Sequence, residues 1–163
     1  MMRDRILLAA GLVLVLALSN WAIAGRERLR SSGRTILLEL APVDPRSLMQ
    51  GDYMRLSYRI EPEINAPFTE EQQNDDGRIV VALDEHQVAT LVRGVTAAAA
   101  PNQALLRYRR RNGSLRIGTD AYFFEEGTAD LYANARYGEF RVDANGDALL
   151  MALRDAKFKL LGK

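Results

Sequence analysis

The sequence predicts a mainly β chain of the β-rich α+β class, with an N-terminal transmembrane helix followed by one compact β domain containing a short helix. Three observations carry that expectation. Residues Ile6 to Ala24 run without a charge. From Thr35 onward, short apolar runs alternate with turn signals. Two Asn-Gly pairs, Asn112-Gly113 and Asn145-Gly146, sit between such runs and mark tight hairpins.

The N-terminal run is nineteen residues long, broken only by Ser19 and Asn20. As a helix it reaches about 28 Å, close to the thickness of a bilayer core. Trp21 lies near its distal end, where an indole suits the headgroup boundary. Arg3 and Arg5 precede it as a positive n-region, and Ala22-Ile23-Ala24 also fits a small-residue cleavage site. Two readings stand: a retained anchor over residues 1–25, or a signal peptide cleaved after Ala24. With no cysteine in the chain, lipid attachment through an N-terminal cysteine is excluded. Arg26, Arg28, Arg30 and Arg34 follow the helix, and a bare charge count would place the body in the cytoplasm. The order of n-region, apolar run and small residues is instead what export machinery reads.

Residues 26–163 suffice for one domain with a real core. Thr35 to Ala41 reads as a first strand, closed by Pro42 and Pro45. Ile79 to Leu83 and Val88 to Val92 flank Asp84-Glu85-His86-Gln87 as a hairpin. Leu105 to Arg111 pairs with Ser114 to Gly118, and Phe140 to Asp143 with Asp147 to Leu153. Gly127 to Tyr137, rich in alanine, reads as the one helix of the body, and Ile64 to Asp76 as a surface loop. Ala97 to Ala100 before Pro101 reads as a connector. A sandwich or a partly open barrel fits this spacing.

Gly51-Asp52-Tyr53-Met54-Arg55-Leu56-Ser57-Tyr58 reads as a turn feeding a strand. Alternation puts Met54, Leu56 and Tyr58 on one apolar face, with Tyr53, Arg55, Ser57 and Arg59 on the other. The octet resembles the defining motif of the GDYXXLXY family of bacterial proteins at Gly51, Asp52, Tyr53, Leu56 and Tyr58. Pro42 to Gln50 is similar to that family's lead-in. Phe123 to Gly127, Tyr132 and Ala135 to Gly138 are similar to its C-terminal portion. The resemblance implies a retained anchor and an extracytoplasmic body at the bacterial inner membrane, and it assigns no catalytic residue.

The charge balance bears on function. The chain has 22 basic and 21 acidic residues, and 20 of each once Arg3, Asp4 and Arg5 are set aside. So neutral a body lacks the basic footprint of a nucleic-acid binder. His86, the single histidine, sits at a hairpin turn with no serine motif aligned to it, as a solvated group. A serine–lysine site needs a desolvated lysine, and Lys157, Lys159 and Lys163 all lie at the C-terminal end, far in sequence from Ser47. Asp143-Ala144-Asn145-Gly146-Asp147 has its glycine at the fourth place rather than the sixth, and Arg154 where a calcium loop needs an acid. No catalytic residue, metal ligand or cofactor is expected.

Two surfaces remain as binding candidates. Arg107, Arg109 and Arg111 share a strand face, with Arg116 on the returning strand, as a basic ribbon able to meet anionic headgroups. Asp44, Arg46, Asp52, Tyr53, Tyr58, Glu126, Arg136 and Tyr137 form a mixed recognition set around the octet. The expectation is a membrane-anchored, non-enzymatic accessory protein that binds an integral membrane protein of the same envelope. The alternative is an envelope-polymer hydrolase or ligand-binding domain using Asp44, Asp52, Glu125 or Glu126.

Overall fold

The computed structural model describes residues 2–41, 49–50, 53–65, 75–94 and 100–162, with the side chains of 2–10 and 49–50 outside that description. A long helix, α1 (Met2–Ser32), leads into the β domain. It continues two turns past Ala24 because Arg26 to Arg30 are mostly strong helix formers. Its end is closed locally: the Ser31 and Ser32 hydroxyls donate to the carbonyls of Glu27 (2.8 Å) and Arg28 (2.7 Å), and the Gly33 amide donates to Leu29 (2.9 Å). Among the described residues no helix is long and apolar enough to cross a membrane.

Ten strands follow. They are β1 (Arg34–Glu39), β2 (Met49–Gln50), β3 (Tyr53–Arg55), β4 (Asp75–Leu83), β5 (Ala89–Val92), β6 (Gln103–Arg111), β7 (Ser114–Ile117), β8 (Ala121–Phe123), β9 (Tyr137–Val142) and β10 (Ala148–Arg154). Three antiparallel sheets result, in the orders β1-β9-β10, β2-β3-β8 and β5-β4-β6-β7. Single bridges stitch them together: Leu37 meets Val88 in parallel, and Leu40 meets Tyr58 antiparallel. Leu37 is consequently buried along with its neighbours Ile36 and Leu38, so β1 is covered on both faces. One core gathers Ile36, Leu38, Met54, Leu56, Tyr58, Val81, Leu106, Ile117, Phe140 and Leu153 from all three sheets.

The Asn112-Gly113 hairpin forms as expected, with φ of 51° and 75° at the two turn residues and Arg111 opposite Ser114. At the other Asn-Gly pair, one Asp143 carboxylate oxygen accepts the amides of Asn145 and Asp147, both at 2.9 Å. This segment is a hairpin turn between β9 and β10.

Two expectations are corrected. Gly127 to Tyr137 is not a helix: only Ala129–Tyr132 makes a short 3₁₀ turn, and β9 already starts at Tyr137. Tertiary contacts override alanine's propensity here. Tyr132 is pulled into the core against Tyr122 and Phe124, both with ring centroids 5.2 Å away. The Arg136 backbone is claimed on both sides by sheet-type bonds: its carbonyl accepts from the Leu40 amide (2.9 Å) and its amide donates to the Arg154 carbonyl (2.7 Å). Nor is Ile64 to Asp76 a loop at both ends. Ile64 is buried in a short helix, α2 (Glu61–Asn65), while Asp75 and Asp76 begin β4; residues 66–74 lie outside the described residues, as does the Ala97–Ala99 part of the connector.

Candidate functional site: an arginine cleft held by the motif strand

The octet reads in three dimensions much as its alternation implies. Met54, Leu56 and Tyr58 are buried, while Arg55 and Arg59 are exposed. β3 is flanked by β2, with Gln50 opposite Tyr53, and by β8, with Tyr53 opposite Phe123. Tyr53 is half-buried and its ring packs on the exposed Phe123 at 5.8 Å. Gly51 and Asp52, with Asp44, Arg46 and Ser47, lie outside the described residues.

Tyr58 reaches deepest. Its ring meets Phe140 edge-on at 5.6 Å, and its hydroxyl donates to the Thr119 carbonyl at 2.9 Å. Burial pushes its ionisation far up, so it stays neutral. The Leu56 amide donates to the Asp120 carbonyl at 2.8 Å. The motif strand thus fastens the Thr119–Asp120 backbone at two consecutive carbonyls. Glu61, one turn beyond Tyr58, is half-buried. Loss of solvent, helped by the Asp120 charge and opposed by a backbone hydrogen bond at Tyr58, raises its carboxyl to about 7.

Asp120 in turn stands on the rim of a cleft of about 990 Å³ between the end of α1 and the face of β6–β7. Arg107, Arg109 and Arg111 line it from β6, Arg116 from β7, and Arg26 and Arg28 from α1. Three aspartates share the lining: Asp120, Asp143 and Asp147. Three of the six guanidiniums are engaged. Arg107 pairs with Asp147 at 3.1 Å, Arg116 with Asp120 at 3.4 Å, and Arg111 binds both carboxylate oxygens of Asp76, at 2.6 and 3.2 Å. That double hydrogen bond lowers the Asp76 carboxyl below its ordinary range. Arg109, Arg26 and Arg28 make no ion pair among the described residues. Arg109 lies directly opposite Arg116 across the strand pair.

The expected basic ribbon is therefore one wall of an open cleft rather than a flat strand face. Sequence reasoning missed the opposing wall, Arg26 and Arg28, because some 80 residues separate it from β6. It also passed over Arg110, which shares the inward strand face with Leu106 and Tyr108 and is 3 % exposed. Glu61 and Asp120 carry no sequence signal at all.

Of the mixed recognition set, Tyr53, Tyr58, Glu126, Arg136 and Tyr137 fall among the described residues. Glu126 is exposed at a turn, and no hydrogen bond, ion pair or ring contact among the described residues joins it to Arg136 or Tyr137. The neighbouring Glu125 is exposed too. Arg136 contributes its backbone to the β1 junction with an exposed side chain. Tyr137 instead stacks on Phe158 at 5.0 Å, and Phe158 stacks on His86 at 4.5 Å. His86 is exposed, as a turn histidine should be, yet its ring ends this three-ring column.

No curated protein and no solved structure is significantly similar to this chain. The family model described as GDYXXLXY protein matches residues 15–153, a span that takes in the apolar helix from Val15, the octet and both walls of the cleft. The chain belongs to the GDYXXLXY family.

Proposed function

We propose that this protein is a membrane-anchored, non-enzymatic accessory subunit, with its β domain on the extracytoplasmic side and an integral membrane protein of the same envelope as its partner. The observation that carries this reading is the state of α1. Leu12, Val13, Leu14, Val15, Leu16, Leu18, Trp21 and Ile23 are all more than half exposed, and they lie around the whole helix. A helix apolar on every side needs an apolar surrounding, supplied by lipid or by another helix. The uncharged stretch begins at Ile6, in the part whose side chains are outside the description, and from Gly11 to Ala24 it accounts for about 21 Å of helix.

The mounting of α1 supports the same reading. Gly33 is the only residue between helix and β1, and Arg141 on the central strand β9 donates to its carbonyl at 3.1 Å. Leu29 fills the space where a Gly33 side chain would stand. A helix held this closely to a sheet transmits its position in the membrane to the domain. Purification of C-terminally tagged chain from native membranes in mild detergent, with mass spectrometry of the recovered material, tests the proposal. A stoichiometric integral membrane partner is the expected result. A domain that is recovered alone and turns over an envelope polymer, with loss of turnover on alanine replacement of Glu125 or Glu126, would replace it with the hydrolase reading.

A further inference from the structure

The arginine cleft has a chemistry of its own. Cross-strand residues of like charge repel when they face each other directly, and Arg109 faces Arg116. Arg116 is partly compensated by Asp120, but the carboxylate nearest Arg109 on β4, that of Asp76, is already held by Arg111. From the facing helix come Arg26 and Arg28, also without ion pairs among the described residues. The cleft thus keeps an excess of guanidinium over carboxylate, with planar donors on both walls. That is the geometry that takes a phosphate oxygen through two-pronged, charge-assisted hydrogen bonds.

Position selects among phosphates. Trp21 also lines the cleft, and the helical rise places Arg26 and Arg28 about 8–10 Å beyond it along α1. With the indole at the boundary of the hydrocarbon, those arginines fall within the headgroup layer. We infer that the cleft between α1 and the β6–β7 ribbon binds the phosphate of an anionic phospholipid headgroup. This rests on the anchored reading above for its placement, though the binding chemistry belongs to the cleft alone. The bound lipid offsets the Arg109–Arg116 repulsion and fixes the domain's orientation over the bilayer.

Native mass spectrometry of the full-length chain in a neutral maltoside detergent, doped with either phosphatidylglycerol or phosphatidylcholine, provides the test. One retained phosphatidylglycerol per chain is expected, with phosphatidylcholine not retained. The double variant Arg109→Gln/Arg116→Gln should lose retention by roughly twenty-five-fold, at roughly five-fold per arginine, and Arg28→Gln alone by roughly five-fold. Arg59→Gln, whose side chain pairs with Glu39 on another surface, should retain lipid normally. Equal retention of the two lipids, or retention unchanged in both cleft variants, would overturn the inference. Complete displacement of phosphatidylglycerol by millimolar inorganic phosphate would overturn the lipid assignment in favour of a soluble phosphate compound. The same spectra report the intact mass: a chain beginning at Gly25 that still retains the lipid would leave this inference standing while removing the anchor.

Discussion

The Tyr58 hydroxyl donates to the Thr119 carbonyl at 2.9 Å, joining the last residue of the family's motif to the segment that carries Asp120 into the arginine cleft. Leu56 makes the neighbouring bond, from its amide to the Asp120 carbonyl. A motif that looks purely structural within its own strand thus also sets the rim of the candidate binding surface.

Removing that hydroxyl gives the first prediction. Tyr58→Phe keeps the ring against Phe140 but leaves the Thr119 carbonyl without its donor, at a cost of about 1–2 kcal/mol. Tyr58→Ala empties a fully buried site and should cost about 3–5 kcal/mol. Urea denaturation followed by near-ultraviolet circular dichroism separates the two, and a Tyr58→Phe midpoint equal to that of the unmodified chain would mean that the hydroxyl contributes nothing.

Glu61 makes stability depend on pH. Its carboxyl is raised from 4.5 to about 7 in the folded chain, chiefly by burial. The folded state therefore holds the proton more tightly than the unfolded one. The resulting stability is fully present below pH 4.5 and is lost as pH rises to about 7. Urea midpoints measured at pH 5 and pH 8 should show the decline, and Glu61→Gln should flatten it while stabilising the protein at pH 8. A Glu61→Gln variant that keeps the full slope would assign it to other groups.

Two ion pairs of similar composition should differ sharply in worth. Arg154 donates to Glu139 at 2.6 Å and also to the Phe158 carbonyl, and both side chains of the pair are largely covered, at 29 % and 12 % exposure. Glu139→Ala strands a half-buried guanidinium and should cost about 2–4 kcal/mol. Arg59 pairs with Glu39 at 3.1 Å from a side chain 68 % exposed, and Arg59→Ala should cost less than about 1 kcal/mol. Thermal melts of the two variants compare them directly.

Much of this fold is legible in the residues. Alternation in the octet gives the buried Met54, Leu56 and Tyr58, and Asn112-Gly113 gives its hairpin, because both signals are local. The alanines from Ala129 to Ala135 mislead, since propensity is weak against the pull of Tyr132 into an aromatic cluster and of Arg136 into two strand bonds. The site is legible only in part. The strand face of Arg107, Arg109 and Arg111 follows from period two, but its partner wall on α1 depends on how the helix leaves Gly33. The raised Glu61 arises chiefly from burial, with the Asp120 charge adding to it, and burial between distant segments leaves no periodic trace.

The central claim is that α1 lies against an integral membrane partner. A photo-reactive amino acid placed at Leu16, an exposed apolar position of α1, tests this most directly when it is activated in native membranes. The account predicts a discrete protein adduct whose second component is an integral membrane protein, absent when the probe sits at the exposed Asn112 of the β domain instead. Recovery of the chain in the soluble fraction, or adducts with lipid alone from Leu16, would contradict it.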